Sequence, residues 1–371
     1  MKNGWKREQL GELCEILDSQ RKPITKRDRT AGKFPYYGAT GIVDYVNNFI
    51  FDEPLVLVGE DGAKWESGAS TAFRVDGKCW VNNHAHVLRP HRKTVLDNWL
   101  VHFLNHSDLT EFVSGLTVPK LNQGNLRRIP IPVPPLPEQQ RIVGLLEEAF
   151  AGIATAKANA EKNLQSARAL FESFHDSVFS RKHENWADKT LGEVCEYANG
   201  KAHERFIDKD GRFFVINSKF ISTDGEVFKK SHEALLLLQP GDIAMVLSDV
   251  PNGKALAKCF LVEEANTYTL NQRICLIRST KFHTKFLFYQ INRNRHFLSF
   301  NNGENQTNLR LNQVLSCPLF LPPLIEQKTI ADKLDAMSEE TQRLASIYER
   351  KLAALEALKK SLLHQAFAGN L

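Results

Sequence analysis

One phrase occurs twice in this chain. Pro134-Pro135-Leu136-Pro137-Glu138-Gln139 returns as Pro322-Pro323-Leu324-Ile325-Glu326-Gln327, an offset of 188 residues. Each copy opens a long stretch poor in Gly and Pro that closes on Val178-Phe179 or Ala366-Phe367, and Gly115 and Leu121 meet Gly303 and Leu309 at the same offset. An earlier phrase repeats at an offset of 181, where Trp5 with Leu10-Gly11-Glu12-Leu13-Cys14-Glu15 is echoed by Trp186 with Leu191-Gly192-Glu193-Val194-Cys195-Glu196. Between these anchors the copies share little beyond a strand-like match of Asn82 through Arg89 with Asn271 through Arg278. A duplicated frame around two different contents suits a two-headed reader better than one converged catalytic pocket.

The long stretches have heptad character. In the first, Ile142, Leu146, Ala149, Ile153, Ala156, Ala160, Asn163, Ala167, Leu170 and Phe174 alternate by steps of four and three. Adding 188 gives Ile330, Leu334, Met337, Thr341, Leu344, Tyr348, Lys351, Leu355, Leu358 and Leu362, again mostly apolar. Both helices therefore require a long helical partner, and each is the other's. The polar positions Asn163 and Lys351 either fix register inside the seam or lie at its edge, with Leu164 and Leu352 carrying the contact through a local shift. A helix from Glu138 to Phe179 spans about 60 Å at about 1.5 Å per residue. Each helix follows a globular segment, and the short connection from Arg181 to Asp188 favours antiparallel pairing, which predicts heads at opposite ends related by a pseudo-two-fold axis. The expected architecture is α+β: one head over 1–133, its helix over 134–182, a second head over 183–321 and its helix over 322–371.

Composition narrows the function. A chain of 371 residues with 42% hydrophobic and 25% charged residues has the makeup of an ordinary folded protein with more than one core. Its net charge of +5 is a mild excess that admits a polyanionic partner. Six cysteines without any Cys-x-x-Cys read as reduced thiols in a core. Met1-Lys2-Asn3-Gly4-Trp5-Lys6 has no apolar leader, and the apolar run from Ala234 to Leu238 is too short to span a bilayer, so the expected location is cytoplasmic.

Enzyme chemistry finds little support. Gly-Lys pairs at Gly32, Gly77, Gly200 and Gly253 are never followed by Ser or Thr, so no P-loop is spelled, and no Gly-x-Gly-x-x-Gly or Asn/Asp-Pro-Pro-aromatic tetrapeptide occurs. His84-Ala85-His86 has no neighbouring Cys/His cluster to complete a tetrahedral zinc site, and these read as hydrogen-bonded strand histidines, with no metal expected. Glu349-Arg350-Lys351 spells a nuclease-like Glu-x-Lys but falls within a heptad, on a solvated helix edge.

The heads carry short β-rich runs with turn residues and an aromatic helical segment near the end of each, around Trp99 to Phe112 and Phe282 to Phe300. Their polar loops have the residue types that contact phosphates and base edges. Candidates in the first head are Tyr37, Thr40, Lys64, Lys120, Asn122 and Gln123; in the second they are Asn217, Ser218, Lys219, Asn252, Lys254, Asn305, Gln306 and Thr307.

Over its whole length the chain resembles the specificity subunit of type I restriction-modification systems. The resemblance rests on the Trp/Leu-Gly-Glu openings, the Pro-Pro-Leu-x-Glu-Gln entries, the closures Asp176-Ser177-Val178-Phe179 and Gln365-Ala366-Phe367-Ala368-Gly369, and Tyr36-Tyr37-Gly38-Ala39-Thr40-Gly41-Ile42-Val43-Asp44-Tyr45, which looks like part of a target recognition domain. One departure is Ser180-Arg181 where the second copy has Ala368-Gly369. The resemblance implies two target recognition domains, each reading one half of a split double-stranded DNA site, and no catalysis by the chain itself. It also implies two modification subunits that methylate adenine N6 with S-adenosylmethionine, and through them restriction subunits that use ATP and Mg. The heads differ, so the implied site is asymmetric. The residues leave two other classes open: a two-headed coiled-coil adaptor for proteins, and an enzyme acting alone.

Overall fold

Each repeated opening is a capped turn laid on a two-stranded ribbon. In a computed structural model that describes residues 4–115, 117–180, 184–251 and 253–371, strand Lys6–Gln9 pairs antiparallel with Pro130–Val133, and Ala187–Thr190 with Pro318–Leu321. Asn252 and Arg181, named above, lie outside the described residues. One-turn helices Leu10–Leu13 and Leu191–Val194 follow the first strand of each ribbon, and they explain the Leu-Gly-Glu spelling residue by residue. Leu10 and Leu191 are fully buried, and their amides bond to the Ile129 and Cys317 carbonyls, each at 2.9 Å. A Cβ on Gly11 would stand 3.0 Å from Arg127 Cβ, and one on Gly192 3.2 Å from Leu315 Cβ, so glycine lets the next segment approach. Glu12 accepts from the Gln9 amide at 3.2 Å and Glu193 from the Thr190 amide at 2.6 Å, closing a capping box on each turn.

Between these anchors the sequences diverge, but the strand order does not. The first head has an antiparallel sheet ordered Cys14–Ile16, Ala85–Pro90, Leu55–Gly59, Ala72–Val75; the second has Glu196–Asn199, Ile274–Arg278, Ile243–Val246, Cys259–Leu261 in the same order. The match of Asn82–Arg89 with Asn271–Arg278 therefore marks equivalent central strands. A further sheet also recurs, with the parallel pair Ala31–Gly38 and Lys78–Val81 answered by Phe213–Ile216 and Tyr268–Leu270. Strands Leu55–Gly59 and Ile243–Val246 are buried at every residue, so any well-packed β-former serves there and identity is free to drift.

Aromatic helices lie where the sequence placed them, over Asp97–His106 and Thr284–Ile291. Trp99 and Phe286 are fully buried. Trp5 meets Trp99 edge-on at 5.7 Å, and Trp186 meets Phe286 at 6.2 Å. The six cysteines are free and five are buried, and burial pushes the Cys14 thiol up to about 12.

The long helices run Leu136–Phe179 and Leu324–Ala368. The chain divides into two compact units, Met1–Asn163 with Tyr348–Leu371, and Leu164–Ile347. Each unit thus holds one head, the first part of its own helix and the last part of the other. In the first unit the helices are antiparallel: Lys157 pairs with Glu356 at 2.7 Å, and Arg141 donates to the Leu371 carbonyl at 2.6 Å. Ile142 and Leu146 share a core with Leu363, Ala366 and the head residues Trp99 and Leu104. In the second unit Val178 and Phe179 pack on a core that contains Ala331 and Phe286, and Ile330 borders it.

The heptad register holds only in part. Ile142, Leu146, Ile153 and Leu334 are buried, and Phe174, Ile330, Leu344, Leu355 and Leu362 are half-buried. Leu170, expected in the seam, is 49% exposed, and Asn163 and Lys351 are exposed as well. Ala160 and Ala167 in the first helix and Thr341 and Tyr348 in the second keep their expected places, while Leu164 and Phe171, and Leu352, take over from Asn163, Leu170 and Lys351. Steps of 3.67 residues follow a nearly straight α-helix, whereas a strict heptad requires underwinding to 3.5. The polar pair therefore sits at the edge of the contact and has no register role. Among the described residues, no helix is long and apolar enough to cross a membrane.

Candidate nucleic-acid interface

In the first head, strands Ala31–Gly38, Leu55–Gly59 and Lys78–Val81 all deliver loops to one end, where Ala85–Pro90 begins. Short-range hydrogen bonds lace these loops together. The Asn82 amide donates to the Tyr37 carbonyl at 3.0 Å, Glu60 to the His84 carbonyl at 2.8 Å, and Leu121 to the Glu60 carbonyl at 2.8 Å. Ser114 and Lys120 exchange two backbone bonds of 2.9 and 2.8 Å. The turn between them depends on Gly115, at φ +97°, where a Cβ would come 2.4 Å from the Val118 carbonyl oxygen. All of the first head's predicted loops, 37–41, 62–65 and 117–123, therefore meet at this end, joined by residues 82–84.

The candidate side chains fare differently from the loops that carry them. Thr40 and Lys64 are exposed. Tyr37 is half-buried beside Phe73, and burial raises its phenol above the ordinary value. Lys120 is paired with Glu60 at 2.9 Å and Asp61 at 3.8 Å. Asn122 caps helix Gln123–Arg127 by accepting from the Asn125 amide at 2.9 Å, and Gln123 donates to Asp18 at 3.0 Å. These three hold the loops together from within. The 21–33 segment, which sequence reasoning passed over, presents Lys22, Lys26, Arg27 and Lys33 to solvent near the same sheet, with Trp80 donating to the Lys22 carbonyl at 2.6 Å.

Beneath the loops lies a buried charge network. His86 is fully buried; Nδ1 lies 2.6 Å from Asp18 Oδ2 and Nε2 2.6 Å from the Leu121 carbonyl. Both ring nitrogens thus have an oxygen partner within the core. Arg21 donates to Glu60 at 2.5 Å and to the Ala85 carbonyl at 2.8 Å. Burial opposes ionisation of Asp18, but bonds from His86, the Val87 amide and Gln123 outweigh it and hold the carboxyl below its usual range. Among the described residues, Asp18, Glu60 and His86 form one group whose donor atoms lie within 4.8 Å. Arg21 and Lys120 supply the positive charge that balances its carboxylates. His84 pairs with Asp61 at the rim.

In the second head, Ser248–Asp249 pairs with Thr307–Asn308, bringing the 248–254 and 303–308 loops side by side. Gln306 donates to Ser248 Oγ at 2.8 Å, and the buried Thr307 hydroxyl to Asn301 Oδ1 at 3.1 Å. Asn217 caps helix Ser218–Ser222, accepting from the Phe220 amide at 2.9 Å. Phe220, Ile221 and Ala255 share one apolar core, which joins that turn to the 248–254 loop. Ser218 is half-buried, while Lys219, Lys254 and Asn305 are exposed. Asp249 stiffens its loop by accepting from the Ala255 amide at 2.7 Å and the Leu256 amide at 3.0 Å.

Comparison with known proteins agrees with this architecture. The family model described as the type I restriction modification DNA specificity domain matches twice, over residues 2–164 and 183–349. A Haemophilus influenzae protein named as a type I restriction enzyme specificity subunit is 37% identical over 142 residues, 38% of this chain and 36% of that one. The MjaVIII specificity subunit of Methanocaldococcus jannaschii is 22% identical over 99% of this chain and 93% of its own. A solved structure from work on assembly and conformational transition of the type I R-M system superposes with a TM-score of 0.76 at 18% identity, covering 100% of this chain and 99% of that one.

Proposed function

Because the chain belongs to the type I restriction modification DNA specificity family, we propose that it reads an asymmetric, two-part site on double-stranded DNA, one part with each head. The observation that carries this reading is the repetition of one sheet order under two unlike sets of converging polar loops. In the first head the contacts fall to Thr40, Lys64 and the exposed lysines of the 21–33 segment; in the second they fall to Lys219, Lys254 and Asn305. Side chains tied into the loops, such as Asn122 and Gln123, shape the surface, and exposed ones meet phosphates and base edges.

The chain itself performs no chemistry in this reading. It recruits two modification subunits that carry S-adenosylmethionine to adenine N6, and through them restriction subunits that use ATP and Mg, in the cytoplasm. Helices of 44 and 45 residues set the unread gap between half-sites, about 10 bp centre to centre for half-sites read from one face. Inserting two heptads in matched positions of both helices lengthens the gap and leaves both half-sites as they were, read by mapping methylated adenines in cells that also make the modification subunit. An unchanged gap removes the ruler. DNA affinity without a steep loss on adding salt favours a two-headed protein adaptor instead.

A further inference from the structure

We infer that Gln139 and Gln327 are positioning residues that fix the angle at which each head leaves its long helix, and thereby the strictness of the gap between half-sites. The inference rests on the two-part reading proposed above. Both side chains are buried, Gln139 at 0% exposure and Gln327 at 1%. Both do the same thing. Gln139 Oε1 accepts from the Leu96 amide at 2.9 Å, while Nε2 donates to the Thr94 carbonyl at 2.9 Å and the Pro134 carbonyl at 2.8 Å. Gln327 Oε1 accepts from the His283 amide at 2.7 Å, while Nε2 donates to the Pro322 carbonyl at 2.8 Å and, at 3.4 Å, to that of Lys281.

Leu96 and His283 are the N-cap residues of the aromatic head helices, and neither caps its helix with its own side chain. In each copy a glutamine of the long helix therefore completes the N-terminus of the head helix and, with the same amide group, holds the Pro-Pro entry of its own helix. Every partner is backbone. Thr94-Val95-Leu96 and Lys281-Phe282-His283 share no residue, and the joint does not depend on their side chains. It is a joint that tolerates any head sequence while keeping one geometry. That accounts for the glutamine persisting in both copies where the flanking head sequence does not.

A one-base-pair error in the gap moves a half-site along the duplex by about 3.4 Å and around it by roughly a tenth of a turn. Discriminating against such an error requires an angularly stiff joint. The test uses the full chain made with its modification subunit, with methylated adenines mapped by long-read sequencing. Gln139→Glu keeps the acceptor for Leu96 but points an oxygen at two carbonyls; Gln139→Met keeps the length and removes all three bonds. The Gln327 counterparts repeat the experiment in the second copy. The expected result is unchanged half-sites with about one methylated site in ten at a gap one base pair long or short, a discrimination about 1.4 kcal/mol above even odds. A uniform fall in methylation at the single wild-type gap overturns the inference, because a merely structural glutamine lowers activity without loosening the gap. Failure of all four variants to accumulate as folded chain overturns it too, since the residues would then be needed to fold rather than to orient. A wild-type map with no split site instead removes the two-part reading beneath it.

Discussion

The central strands Ala85–Pro90 and Ile274–Arg278 hold the same place in the two heads, yet His86 in the first stands where Cys275 stands in the second. Their surroundings differ accordingly. His86 sits among Asp18, Glu60, Arg21 and Lys120. Cys275 is fully buried, burial drives its thiol far up, and the buried histidine of that head, His203, bonds to neutral partners, the Lys201 carbonyl and the Thr269 hydroxyl. One sheet order thus accommodates a charged filling and an apolar one beneath its loops. The frame is held by strands buried on both faces and by repeated joints at its margins, which leaves loop support free to differ from head to head.

The largest break in this comparison is expected from Arg21→Ala. Removing one partner from a buried ion network leaves charge uncompensated, and Lys120 offsets only part of it, so the first unit loses about 3 kcal/mol. Hydrogen exchange along 85–90 should accelerate accordingly while 274–278 is unaffected; equal acceleration in both strands means the network does not belong to one head. A second, smaller contrast is in pH. Asp18 has a depressed folded-state value, so its contribution is full above the unfolded carboxylate value near pH 4 and disappears as pH falls through the lower folded value. Acidification below about pH 4 should therefore open the first unit in steps that Asp18→Asn flattens, with the variant already weaker at pH 7. The smallest effect is expected at the surface. Lys64→Ala or Lys254→Ala should change stability by less than about 0.5 kcal/mol, yet lower the salt slope of DNA binding by about one unit each. A slope that does not move places those lysines outside the DNA contact.

Much of the frame was readable from duplication alone. Matching entries, alike at five of six residues, predicted two long helices and their closures to within a few residues, because Pro-Pro stops a strand and the following Glu-Gln run starts a helix. The loops of the first head were readable as loops but not as contacts: Lys120, Asn122 and Gln123 have the composition of a DNA-facing turn and are spent on Glu60, Ser114 and Asp18. Nothing local announces the pairing of Lys120 and Gln123, because the fold brings Glu60 and Asp18 to them from far along the chain, whereas Asn122 meets Ser114 across one short turn. The charge network was hidden for the same reason, since Asp18, Arg21, Glu60 and His86 follow no spacing. One clue existed in the aligned stretch Asn82–Arg89, which puts an ionisable His86 opposite an apolar Cys275 in an otherwise matching strand. The seam drifted because heptad counting assumes a supercoil, and these helices keep closer to their natural pitch.

The first unit includes residues 348–371, and its apolar core takes in Leu363 and Ala366. On a ribosome adding about 5–20 residues per second, those side chains follow Asn163 after about ten to forty seconds. The first head is thus begun early and closed late. Throughout that interval Ile142 and Leu146 have Trp99 and Leu104 of their own head beside them but lack Leu363 and Ala366, so this core is open on one side in the newborn chain and exposed to aggregation there.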